Sequence, residues 1–127
     1  MLYLIVFLGA GIGGALRHGV NVAAARLFGY GFPLGTLIVN IAGSFAIGLL
    51  AGYFAARPHL SQHTRLFLTT GVLGGFTTFS AFSLDAALLM ERHNYVLAAA
   101  YVAGSVVAAI MALFLGLSLF RSAGHLP

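Results

Sequence analysis

Gly71-Val-Leu-Gly-Gly-Phe-Thr-Thr-Phe-Ser-Ala-Phe-Ser83 is the stretch on which the fold turns. It lies inside a run of 19 residues without charge, between Arg65 and Asp85. That is close to the roughly 20 residues a helix needs to cross a bilayer. The stretch nevertheless holds three glycines, two threonines and two serines, which is polar and breakable for a helix facing lipid. Backbone that leaves the helix at membrane depth is tolerated only where protein buries it or where it lines a wet cavity. Phe79 and Phe82 follow at i, i+3 spacing, so a helix resuming there projects both rings from one face. A break followed by two neighbouring rings points to a site for an ion.

Working outward, composition agrees with a bilayer setting. Of 127 residues 61% are hydrophobic and only 6% charged, against roughly 25% charged in soluble domains. Mean hydropathy is +1.03. The chain therefore reads as an all-α integral membrane protein with no room for a soluble domain. No cysteine is present, which removes disulfides and thiolate chemistry. The formal charge is +4, but the arginines are scattered singly and no lysine accompanies them, so there is no basic patch for nucleic acid. The apolar run from Met1 to Leu16 lacks a charged leader and is expected to stay in place as a first span.

Hydropathy divides the chain into a single four-helix transmembrane unit, with spans near residues 2–28, 34–56, 66–90 and 95–120. Gly29-Tyr-Gly-Phe-Pro33 separates the first two, Arg57-Pro58-His59 ends the second, and Glu91-Arg-His-Asn94 separates the last two. The third span is expected to break near Gly74-Gly75. Arginines are balanced: Arg57, Arg65 and Arg121 fall on one side, Arg26 and Arg92 on the other, with Arg17 joining them if it reaches that surface. Orientation needs a bias of such charges. Balance predicts insertion both ways and allows an antiparallel, dual-topology homodimer. Gly9-x3-Gly13, Gly48-x3-Gly52, and Gly104, Ala108, Ala112 and Gly116 make small-residue stripes of the kind that let membrane helices approach closely.

Few motifs carry chemistry. Gly9, Gly11 and Gly14 match G-x-G-x-x-G, but no strand precedes them and the first acid is Asp85, so the dinucleotide reading fails. Thr36, Asn40 and Ser44 form an i, i+4, i+8 stripe on one face of the second span, with Gly43 beside it. A primary amide amid hydrocarbon needs partners. Asn40 is either an interhelical hydrogen bond or an N–H donor facing an anion pathway. Gly74–Thr78 is either a kink filled by neighbouring side chains or unwound backbone whose carbonyls suit a hard cation. Phe79 and Phe82 either pack or offer their positive edges to a small anion. Tyr101 and Ser105 place hydroxyls on one face of the fourth span. No enzyme is expected: Asp85 and Glu91 are the only acids, and the i, i+4 pair His59 and His63 flanks a proline turn.

Taken together, Gly14-Ala-Leu-Arg17, Gly35-Thr-Leu-Ile-Val-Asn-Ile-Ala-Gly-Ser-Phe45 and Gly71–Ser83 resemble the Fluc/CrcB family of fluoride channels across nearly the whole chain. The resemblance implies a dual-topology homodimer of four-span subunits in the inner (plasma) membrane. It implies two fluoride pores and a central structural Na⁺. By position, Asn40 resembles the pore asparagine, and Phe79 and Phe82 the paired pore phenylalanines. Thr36, Ser44, Ser80, Ser83, Tyr101 and Ser105 are the hydroxyls expected along the pore. Gly74 and Thr77 resemble the residues whose carbonyls hold Na⁺, and Arg17 the arginine near a pore mouth. Ala81 and Ala109 stand where the family often has threonine and serine, which shortens the polar track.

Passive fluoride efflux is the function this implies. A proton-coupled exporter resembling the small multidrug resistance family needs a carboxylate in the membrane, and spans one and two hold no Asp or Glu. A non-conducting assembly subunit accounts for the glycine stripes but not for Asn40 opposite a broken span.

Overall fold

In a computed structural model of the chain, residues 1–124 are described, with side chains as far as Phe120. The Arg121 side chain, read from the sequence above, lies outside them. Four helical segments among the described residues are long and apolar enough to cross a membrane: Leu2–Phe28, Leu34–Ala56, Gln62–Glu91 and Tyr95–Phe120. Helix α1 (Leu2–Phe28) stops at Gly29, whose φ of 78° is a left-handed conformation that glycine adopts without a Cβ penalty. Helix α2 (Leu34–Ala56) follows the loop that ends at Pro33. Helix α6 (Tyr95–Gly124) carries the fourth span.

The third span is composite. It opens with α3 (Gln62–Leu66), widens into a π-helical stretch (Phe67–Leu73) and closes with the short α4 (Gly74–Phe76). After Thr77 and Thr78 it resumes as α5 (Phe79–Glu91). The segment starts at Gln62 rather than Leu66 because Ser61 caps it, its hydroxyl accepting from the Thr64 N–H at 3.2 Å. The break falls at Thr77–Thr78, not at Gly74-Gly75. Gly74 is helical (φ −62°, ψ −38°), whereas Thr77 (ψ 159°) and Thr78 (φ −154°, ψ 120°) are extended.

The glycines serve packing instead. A Cβ on Gly75 would overlap the Ala10 carbonyl, and one on Gly13 would overlap that of Val72. A Cβ on Gly9 would come within 2.8 Å of the Phe67 carbonyl and 2.9 Å of the Gly71 Cα. Helix α1 thus lies backbone to backbone against the π-helical stretch and α4. A second close pair joins α2 to α6, where Gly48 faces the Leu113 carbonyl and Gly116 that of Phe45. The small-residue stripes therefore act within the subunit, with Gly104 open on its side.

The interior is small, as expected where lipid rather than water surrounds the helices. Leu89, Ala98 and Tyr101 are its buried centre, packed by Phe32, Leu37, Phe82 and Ala86. One end of the bundle gathers the α1–α2 loop and Arg92 around one cavity. The other gathers the α2–α3 loop with the Phe120 end of α6.

Candidate functional site

The break in the third span is held open by a side chain from another helix. Asn40 Nδ2 donates to the Thr78 carbonyl at 3.0 Å, and the Thr78 N–H donates to Asn40 Oδ1 at 2.8 Å. One amide thereby satisfies both backbone groups of a non-helical residue at membrane depth, the condition for such backbone to exist there. Thr78 then caps α5: its hydroxyl accepts from the Ala81 N–H at 3.1 Å. Thr77 turns its hydroxyl back to the Leu73 carbonyl at 3.0 Å and sets its methyl against Gly43, where no Cβ would fit.

This arrangement redirects two N–H groups. In an unbroken helix the Thr78 N–H would serve the Gly74 carbonyl, and the Ala81 N–H that of Thr77. Both are given instead to side chains, Asn40 Oδ1 and Thr78 Oγ1. Gly74 and Thr77 are thus among the residues, with Gly75 and Phe76, whose carbonyls lose their helical donors at the break. Neutral carbonyl oxygens of this kind suit a hard monovalent or divalent cation. Among the described residues no group of His, Asp or Glu offers a metal site.

Beside the break runs a groove of about 270 Å³. Helix α2 contributes Asn40, Ser44 and Ile47, and the break contributes Thr77 and Thr78. Phe79 and Phe82 come from α5, and Ser105, Val106 and Ala109 from α6. None of these carries a charge. A carboxamide has two N–H bonds; one is spent on Thr78, leaving the other for the groove. The Ser105 hydroxyl is buried and has no hydrogen-bond partner among the described residues. The two rings sit 5.7 Å apart at 42°, with Phe79 78% exposed, so the groove is one wall rather than a closed tube.

The remaining expected residues are distributed around this wall. Tyr101 is 1% exposed, stacks 5.2 Å from Phe82 and donates its hydroxyl to Asp85 Oδ2 at 3.1 Å. Thr36 is buried and lines a second cavity of about 320 Å³ with Asn21, Ala81, Asp85 and Arg92. Tyr101 packs between groove and cavity, with Phe32 edge-on to it at 5.4 Å. Ser80 meets the Thr78 hydroxyl at 3.3 Å, while Ser83 turns back to the Phe79 carbonyl at 3.0 Å; neither lines the groove. Arg17 is half-buried, lines neither cavity, and its Nε has no partner among the described residues.

Asp85, one of the two acids in the sequence, is drawn into this wall by Tyr101. Its link to Tyr101 spans 16 residues and two helices. The available signal was an acid two turns inside an apolar segment, which hydrocarbon does not tolerate unpartnered. Asn21 gave no signal, since its neighbour Gly35 is brought to it only by the packing of α1 on α2.

The chain is similar to known proteins over nearly its whole length. The family model described as CrcB-like protein, Camphor Resistance (CrcB), matches residues 4–117. A protein of Methylobacterium nodulans named fluoride-specific ion channel FluC is 63% identical, over 95% of this chain and 97% of its own length. One of the same name from Rhodopseudomonas palustris (strain BisB5) is 57% identical, over 96% and 98%. Fluoride-specific ion channel FluC 2 of Nitrobacter hamburgensis is 57% identical, over 95% and 98%.

Proposed function

The chain belongs to the CrcB-like family, and on that premise we propose that it is a fluoride-specific channel, passing fluoride down its gradient and so lowering cytoplasmic fluoride. The observation that carries the reading is the Ser105 hydroxyl, buried without a partner in a groove that no charged side chain lines. Fluoride is small and strongly hydrated, so a pathway has to replace its water with donors at close range. The free N–H of Asn40 and the Ser105 hydroxyl supply such donors. The positive edges of Phe79 and Phe82 add a weaker attraction. A full positive charge there would trap the ion, whereas neutral donors let it leave.

Phe79, largely uncovered in one subunit, leaves room for a second wall. In this reading an antiparallel copy supplies it, giving a dual-topology homodimer in the plasma membrane. The Gly74 and Thr77 carbonyls, relieved of their helical donors, fit a structural Na⁺. That ion would supply fixed positive charge to tie two broken spans together. Ala109 replaces a hydroxyl on the groove wall with a methyl, which leaves Ser105 and Ser44 as its serine donors.

The test is efflux from liposomes containing the pure protein. Fluoride should leave at channel-like rates while chloride is strongly rejected. Equal permeability to the two halides would remove the proposal. The proton-coupled exporter and the non-conducting subunit find no support in the relatives, which carry the fluoride-channel name.

A further inference from the structure

The end of the bundle opposite Asp85 and Glu91 carries a cationic platform that is not part of the groove. The Arg57 guanidinium carbon lies 5.1 Å over the Tyr53 ring, and that of Arg65 lies 5.8 Å over the Phe54 ring. Tyr53 in turn meets Phe120 edge to face at 5.7 Å, so the platform joins α2 to α6. Arg65 Nη2 donates to the carbonyls of Arg57 (3.2 Å) and Pro58 (3.0 Å), which pins the α2–α3 loop over the rings. The Arg57 guanidinium is exposed and makes no hydrogen bond among the described residues. Asp85 and Glu91, the only acidic side chains in the chain, belong to α5 and stand at the other end. The two positive charges are therefore uncompensated by any carboxylate side chain nearby.

We propose that this platform is a binding site for the phosphate of an anionic lipid headgroup. Helix α2 ends at Ala56, so Arg57 is the first residue beyond an apolar span and stands at headgroup level. Tyrosine at a span end occupies the same layer. Stacking fixes the plane of the guanidinium while leaving its N–H edge outward, and that edge matches two phosphate oxygens at once. A mobile lysine would supply the charge without the fork. The site is separate from the groove, so it stands or falls independently of the channel reading.

The experiment is native mass spectrometry of the intact protein in neutral detergent, supplied with phosphatidylglycerol or phosphatidylcholine. The wild type should retain phosphatidylglycerol in preference. Arg57→Gln, at an exposed side chain whose loss leaves no partner stranded, should reduce that retention roughly fivefold, the scale of one basic residue at an anionic surface. Arg57→Lys should restore part of it, and Arg26→Gln at the opposite end should leave it unchanged. Equal retention of both lipids by the wild type, or an undiminished preference in Arg57→Gln, overturns the proposal. Displacement of the lipid by inorganic phosphate alone also overturns it, because the site would then be one for a free anion.

Discussion

Asn40 and Ser105 face the same groove but stand differently in it. Asn40 is bonded at both ends to Thr78, so its packing role and a role toward an anion are compatible: one N–H holds the break and one is left over. Ser105 holds nothing, for its hydroxyl has no partner among the described residues. The two sites should therefore differ in stability, while both lose flux, when the two are measured side by side. Asn40→Asp keeps the acceptor for the Thr78 N–H, removes the N–H that reaches the Thr78 carbonyl, a loss of about 1 kcal/mol, and sets a negative charge beside the groove. Both thermal stability and fluoride efflux should fall. Ser105→Ala removes an unsatisfied hydroxyl, so stability should be unchanged or slightly higher while efflux slows. A Ser105→Ala protein that is destabilised yet conducts normally would take Ser105 out of the pathway and leave it as packing.

At the scale of the element, the third span departs most from a simple helix. Its π-helical stretch and its break are tolerated because α1 offers a backbone without side chains along Gly9 and Gly13. A methyl at Gly13 would meet the Val72 carbonyl and come within 2.8 Å of the Phe76 nitrogen, both backbone atoms that cannot swing aside. Gly13→Ala should cost about 1–3 kcal/mol, the usual scale of overpacking. Gly19→Ala, on the same helix with nothing within 4 Å, should stay within about 0.5 kcal/mol of the parent. Denaturation midpoints in one detergent give the comparison. Equal midpoints would show that α1 and the third span can part without loss.

For the whole molecule the telling quantity is where charge sits along the bundle. Arg57 and Arg65 stand at one end and Arg92 at the other, beside the α1–α2 loop that follows Arg26. With so little bias, neither orientation is favoured by the charges that normally decide it. Single-cysteine proteins carrying Arg57→Cys or Arg92→Cys, labelled in intact cells with a membrane-impermeant reagent, should each react in part from both sides. Labelling of every molecule from one side only would exclude an antiparallel pair.

What the sequence determined by itself was whatever depends on neighbours in the chain. The bounds of the first two spans, residues 2–28 and 34–56, follow from apolar length interrupted by Gly29 and Pro33 and coincide with the helices. The chemical types at the site, an amide, two rings and hydroxyls in otherwise apolar helices, were equally plain, because hydrocarbon makes each polar group conspicuous. Tertiary structure decided the rest. The break moved from the glycines to Thr77 and Thr78 because Asn40, 38 residues away, is the partner that can satisfy extended backbone there. The stripe of Thr36, Asn40 and Ser44 is divided between two cavities, Thr36 lining one and Asn40 and Ser44 the other, and Tyr101, bonded to Asp85 from a different helix, touches Phe32 of the first and Phe82 of the second. A periodic pattern says which residues share a face. Which neighbour that face meets, and at what height, is settled only when the helices pack.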